Sequence, residues 1–157
     1  MRPFHRLWRK AVRRASNAVL RRSNLSPAAL LGRQGEEAAY WHLREHGFVM
    51  VERNYRPQGL RGEIDLIGWD GDILVFIEVK TLRTTGTRMP ETAVDREKQR
   101  HLIAAARQYR TRSKHSATPY RFDIVSIVSG PDASGSGIEL HHYRDAFREA
   151  DLPSQNV

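Results

Sequence analysis

The sequence predicts an α/β domain in the order α-β-β-β-α-β-β, with a mixed sheet flanked by helices. Three observations predict it. Two segments of helical periodicity enclose three consecutive strand-like runs. The second and third of those runs are separated by Asp70-Gly71, a strong hairpin signal. After the second helical segment, Tyr120 to Val128 is apolar on both alternating faces, as a largely buried strand requires. At 157 residues, 39% hydrophobic and 28% charged, the chain suits one domain plus a tail. It is too short for a TIM barrel and too apolar for a wholly disordered chain. The absence of cysteine excludes disulfides, a thiolate zinc site and a cysteine nucleophile. No apolar run is long enough to span a bilayer, and a cytoplasmic location fits.

Met1 to Ser26 reads as a basic amphipathic helix, with Phe4, Leu7, Trp8, Val12, Ala15 and Val19 at three- and four-residue spacing. It holds eight basic residues and no acid. The remaining 18 basic and 18 acidic residues cancel, so the whole net charge of +8 belongs to this arm. Its composition suits a membrane-surface helix, an organelle transit peptide or an arm on nucleic acid, and equally a functionally silent extension. Ser26-Pro27 then forms an N-cap with proline at the first helical position. That helix runs through Ala28, Leu31, Ala38, Ala39 and Leu43 to a stop at Gly47. Phe48 to Val51, extended toward Tyr55, is a short strand, and Arg56 to Gly62 a loop. The hairpin strands are Glu63–Trp69 and Asp72–Lys80. A loop over Thr81 to Pro90 leads into a helix from about Glu91 to Arg112, with Val94, Leu102, Ala105, Ala106 and Tyr109 as its stripe. Gly130 to Gly137 is a turn, and Ile138–Tyr143 the last strand. The expected organisation is an extension over 1–27, a domain over 28–150 and a tail over 151–157.

Charge within the body is divided. Glu36 to Glu78 holds nine acids and four bases, and Lys80 to Arg121 eleven bases and three acids. A metal-dependent enzyme acting on a polyphosphate needs both halves, although alternating surface charge produces similar counts. Strand periodicity sharpens this. Glu63 and Asp65 share one face, as do Glu78 and Lys80. With Asp70-Gly71 as the two-residue turn, Glu63 faces Glu78 and Asp65 faces Phe76. Asp65 and Glu78 then lie diagonally, roughly 7–8 Å apart, where both can reach one ion. Directly opposed, they would mainly repel. Ile64, Leu66, Val75, Ile77 and Val79 form the opposite, core face. The bland reading is a solvated hairpin with a Glu–Lys pair. The apolar character of the second strand argues against it, because charges on a central strand must be paired or bind metal.

Asp65 and Glu78, with the Val79 carbonyl and waters, are therefore candidate ligands for Mg²⁺ or Mn²⁺. Such an ion polarises a scissile phosphate and lowers the pKa of an attacking water. Lys80 is placed to orient the nucleophile or stabilise developing charge. Glu36 on the first helix offers a further carboxylate, and Glu63 is a weaker candidate.

Gly32-Arg33-Gln34-Gly35-Glu36, Arg53-Asn54-Tyr55-Arg56, Gly62-Glu63-Ile64-Asp65-Leu66-Ile67 and Phe76-Ile77-Glu78-Val79-Lys80 resemble the YraN-like family of small bacterial proteins. Lys98 and Arg121-Phe122-Asp123 extend the likeness, which covers about residues 28–145. That family is assigned to the PD-(D/E)XK nuclease superfamily and is similar to archaeal Holliday-junction resolvases. The resemblance implies a restriction endonuclease-like (tRNA endonuclease-like) core, with the acid, acid and lysine at Asp65, Glu78 and Lys80 and the helix glutamate at Glu36. Ile64-Asp65 replaces the superfamily's Pro-Asp and leaves the ligand intact. Residues 1–27 lie beyond where family members commonly begin.

Lys98, Arg83 and Arg88, with Arg96 and Arg100, are candidate phosphate contacts. His42 and His46, at i,i+4, lack an evident third ligand and read as surface histidines. Trp69 is the one aromatic considered for base stacking. The expected function is a Mg²⁺/Mn²⁺-dependent phosphodiester hydrolase on nucleic acid, structured or branched DNA before RNA. Resolvase-like relatives act as dimers, so a homodimer is a possible partner state. The alternatives are a non-cleaving nucleic-acid-binding module of the same fold, and an interaction protein whose basic arm docks on a membrane or ribonucleoprotein.

Overall fold

The computed structural model describes residues 26–83, 94–130 and 137–152, and its elements follow the expected order. The expectations for the N-terminal arm, for Arg88 and for the start of the second helix fall wholly or partly outside these residues. So do those for the Gly130–Gly137 turn and the C-terminal tail. Helix α1 spans Pro27–Glu45, with the Ser26 hydroxyl accepting from the Ala29 N–H. It ends where Gly47, at φ +91°, turns the chain. The Gly47 N–H donates to Arg44 O and the Phe48 N–H to Leu43 O, a Schellman ending sealed by the buried pair Leu43 and Phe48.

Strands β1 (Val49–Tyr55), β2 (Ile64–Asp70) and β3 (Ile73–Arg83) form an antiparallel meander. Helix α2, Arg96–Arg112, follows, capped by Asp95. Val94, expected inside the helix, precedes the cap yet is buried. Strand β4 (Tyr120–Gly130) pairs parallel to β3, and β5 (Gly137–Phe147) pairs antiparallel to β4. A 3-10 turn, Glu149–Asp151, follows. The sheet order β1-β2-β3-β4-β5 makes β3 central. Because β3 and β4 are parallel, the chain must cross from one end of the sheet to the other between them, and α2 lies in that crossover.

Two features of the hairpin differ from expectation. The turn is Gly71-Asp72, with Asp70 paired to Ile73 and Leu66 to Ile77. Gly71, at φ +59°, takes the first central position, where a type II′ turn wants glycine. Continuing that register by one residue sets Asp65 across from Glu78, not Phe76. The second correction concerns burial: both faces of the hairpin are packed. Under α1, Ala38, Ala39 and Leu43 meet Leu66, Val75, Ile77, Val125 and Ile127. Under α2, Leu102, Ile103, Ala105 and Ala106 meet Ile64, Ile67, Leu74, Phe76, Phe122 and Ile124. The charged residues lie beyond the last apolar pair, at one end of β2 and β3, and do not line an open face.

Asp123 locks the far side of the sheet. Its fully buried carboxylate accepts from Arg121 Nε at 2.9 Å, His142 Nε2 at 2.8 Å and the Asp145 N–H at 2.9 Å. Arg121 reaches on to Asp70 at 2.8 Å, tying the β2–β3 hairpin to β4. Burial alone would raise the Asp123 pKa, but the hydrogen bonds from His142, Arg121 and Asp145 outweigh it and hold the carboxyl below its ordinary range. Asp145 accepts a left-handed φ of +51° where the β4–β5 ladder is interrupted, turning its N–H onto the carboxylate. Asp123→Ala leaves these buried donors without an acceptor. It is expected to lower unfolding stability by about 3–5 kcal/mol, read as a lower urea midpoint at unchanged slope.

Candidate active site

Asp65 stands second in β2, past the last β2–β3 pair, and is 7% exposed. Its Oδ2 accepts the Val79 N–H at 2.7 Å, so a side chain continues the ladder where the backbone of β2 has left it. Glu78, 3% exposed, lies on β3 beside Ile124. Its Oε1 is 2.9 Å from Lys80 Nζ, and its Oε2 is 3.1 Å from Lys98 Nζ, contributed by the first turn of α2. The Lys98 contact is a charge contact without hydrogen-bond alignment, which leaves the buried Oε2 with no hydrogen-bond partner. Asp65, Glu78, Val79, Lys98, Glu36 and Glu63 all line one cavity of about 700 Å³, together with the N-terminal turns of α1.

Glu36 is positioned by a close approach. A Cβ at Gly35 would lie 2.1 Å from Thr81 Oγ1, so only glycine lets α1 rest on β3 at this point. Glu36, the next residue, reaches the cavity and accepts a hydrogen bond from Asn54. Burial first, then the Glu63 carboxylate, raises its pKa, against the pull of Asn54, Arg53 and Arg33. Asn54 holds φ +52° in β1, a conformation asparagine tolerates better than most residues. Glu63 is partly neutralised by Arg56 at 3.0 Å.

The dominant electrostatic fact is Asp65. Burial and the facing Glu78 carboxylate push its pKa up to about 7, while the Val79 N–H and Lys98 pull it down. This is the repulsion that direct opposition brings, and Lys80 and Lys98 answer it from Glu78's side.

The structure thus brings together Asp65, Glu78, Lys80, Val79, Glu36, Glu63 and Lys98. Arg83 ends β3, and Arg88 lies outside the described residues. His42 is half-buried, not superficial. Burial, with His46 and His142 nearby, lowers its pKa to about 4. Trp69 packs edge-on against His115 at 5.1 Å and joins the α2-side core, so it is not free to stack on a base. Thr81 was not singled out by sequence, and Asn54, though within a block that carries the family resemblance, was given no role at the site. Asparagine at the end of a strand pattern, ahead of a proline-containing loop, was the available signal for Asn54.

Asp65 carries a proton in the fold at pH values where the unfolded chain has released it. Stability in the absence of divalent cations therefore falls as pH rises from the ordinary carboxylate range through about 7. Asp65→Asn, an analogue of the protonated form, is expected to raise the Tm in EDTA by several degrees at pH 8 and little at pH 5. Thermal unfolding at the two pH values checks it, and an equal effect at both would contradict the raised pKa.

A family model described as "Uncharacterised protein family UPF0102" matches residues 35–127, a span that includes Glu36, Asp65, Glu78, Lys80 and Lys98. A UPF0102 protein of Koribacter versatilis is 49% identical over 96 residues, 61% of this chain and 66% of that protein, just under two thirds of its length. One from Rhodococcus opacus is 40% identical over 117 residues, covering 74% of this chain and 95% of that protein. Another, from Geobacter sulfurreducens, is 38% identical over 122 residues, 77% and 91% of the two chains. With the matched span holding the whole cavity constellation, the chain belongs to the UPF0102 family.

Proposed function

We propose that the protein is a Mg²⁺- or Mn²⁺-dependent phosphodiester hydrolase acting on nucleic acid, with structured or branched DNA as the preferred substrate. The observation that carries this reading is the convergence of Asp65, Glu78 and Lys80 at one end of the central strand, beside a cavity of about 700 Å³. The element order and the mixed sheet support the restriction endonuclease-like core that the YraN-like resemblance implies.

The donor set fits a hard divalent cation. Glu78 Oε2 is buried without a hydrogen bond, and Asp65 is pushed toward protonation first by burial and then by the Glu78 carboxylate, whose charge a cation would neutralise. Among the described residues no three acidic or histidine side chains form a metal cage. Mg²⁺ is usually held by one or two carboxylates with waters and substrate phosphate, so Asp65, Glu78 and the Val79 carbonyl suffice. When bound, the cation supplies Lewis-acid polarisation of a phosphate oxygen and eases deprotonation of the attacking water. The chain's own residues do the rest. Lys80, held by Glu78 yet partly exposed, donates N–H bonds to the incoming water or the phosphate oxygens as charge builds. Glu36, with its raised pKa, is suited to accept a proton from water at the cavity's α1 side. Lys98 lines the cavity, and Arg96 and Arg100, each two residues from it in the same helix, add positive charge near that end of α2.

Incubation with linear, flapped and four-way DNA and with RNA, in Mn²⁺ or EDTA, tests this. Cleavage is expected only with the cation, and Asp65→Ala or Lys80→Ala should each reduce it by about a hundredfold or more. Cleavage in EDTA, or in both variants, would overturn the assignment. Tight binding with no cleavage would favour the binding module.

A further inference from the structure

Glu78 has two counter-charges of unlike origin. One carboxylate faces two ammonium groups, Lys80 at 2.9 Å and Lys98 at 3.1 Å, and the buried oxygen that Lys98 meets has no hydrogen-bond partner. Lys98 also sits where a cation does not help its own helix. It is in the first turn of α2, three residues after the Asp95 cap, where the helix dipole disfavours positive charge. What holds it there is the cavity's carboxylates. Its side chain remains 27% exposed, on a long stem with an open route to solvent.

Charge counting shows what must change when a cation enters. Asp65 and Glu78 carry −2 once a cation has displaced the proton that Asp65 holds through about pH 7, and Lys80 and Lys98 carry +2. A divalent cation on the two carboxylates leaves both lysines without an anion. Lys80 follows Glu78 by two positions on the same strand and face, and its ammonium is 2.9 Å from Oε1. Lys98 comes from another element and meets the oxygen that lacks a hydrogen bond.

We infer that Lys98 is a displaceable counter-ion: it neutralises Glu78 while the site is cation-free, then yields Oε2 to a divalent cation and turns to a backbone phosphate of the nucleic acid. This rests on the reading of Asp65 and Glu78 as a divalent-cation site and adds to it a coupling between cation and substrate. Lys98 is thereby a positioning residue whose ammonium competes with the cation in the free protein and helps to bind the polymer in the loaded one.

The test uses the full chain without nucleic acid. Titration calorimetry with Mn²⁺ should show Lys98→Met binding about tenfold more tightly than the parent protein, since no ammonium must leave. Lys98→Arg, which keeps the charge, should stay near the parent value. Unchanged or weaker Mn²⁺ binding by Lys98→Met overturns the inference while leaving the cation site standing. Absence of Mn²⁺ binding in the parent and both variants overturns the cation site itself. Should Lys98→Met fail to fold, lysine acylation of the parent protein gives the same answer. Mn²⁺ should raise labelling of Lys98 relative to the exposed Lys114, and an unchanged ratio overturns the displacement.

Discussion

Burying a carboxylate on the central strand of a sheet is costly unless a cation goes with it. Glu78 is such a group, and the rest of the fold is arranged around its neutralisation. Lys80 is supplied by the same strand two residues on. Lys98 can be supplied only if a helix N-terminus arrives over the end of β3. The parallel pairing of β3 with β4 provides it, because the connection must cross the sheet and α2 lies on that path. The Asp95 cap fixes where the first turn begins and hence where Lys98 stands. Sheet topology and site electrostatics are therefore one arrangement: an antiparallel β3–β4 pair joined by a tight turn would have no helix to bring the second lysine.

Two buried aspartates show how environment divides a satisfied carboxylate from an unsatisfied one. Asp123 is beside Ile77 on the α1 face, and Glu78, opposite Asp65, is beside Ile124 on the α2 face. Asp123 receives Arg121, His142 and a backbone N–H, and its pKa falls. Asp65 receives one backbone N–H and faces a second carboxylate, and its pKa rises to about 7. Both are buried, and the outcomes are opposite because the donors and neighbouring charges differ. The first group is satisfied and ties strands together. The second is held short of satisfaction, the condition under which an added cation gains most.

Much of this was legible in the sequence. Ser26-Pro27 and Gly47 bounded α1 correctly because caps are local chemistry. The apolar run around Glu78 identified β3 as central because a long hydrophobic strand needs cover on both faces. What local pattern could not fix was the hairpin's register. Asp70-Gly71-Asp72 permits turns at either dipeptide, and the choice shifts every opposing pair by two residues. The face carrying Ile67 and Phe76 was expected to be charged, since alternation was weighed without knowing that α2 covers it. Asp123's partners were equally beyond reach. His142 and Asp145 lie about twenty residues away; the β4–β5 pairing brings the first to the carboxylate, and the interruption of that ladder the second.

The register that alternation missed explains the lysine that charge counting noticed without placing. If Asp65 and Glu78 were diagonal, Lys80 alone would neutralise Glu78, and Lys98 would be one more base on a solvated helix face. With Asp65 directly across, the pair needs a second positive charge, and the end of the sheet supplies it from both sides. Ser26 and Ala28 of the α1 start and Lys98 of the α2 start line the same cavity, so the positive ends of two helix dipoles also face the acids. Those fields favour negative charge at the cavity, whether carboxylate or phosphate. The acids and the basic segment that looked like separate blocks along the chain are thus the two halves of one electrostatic balance, closed by the fold at the end of β3.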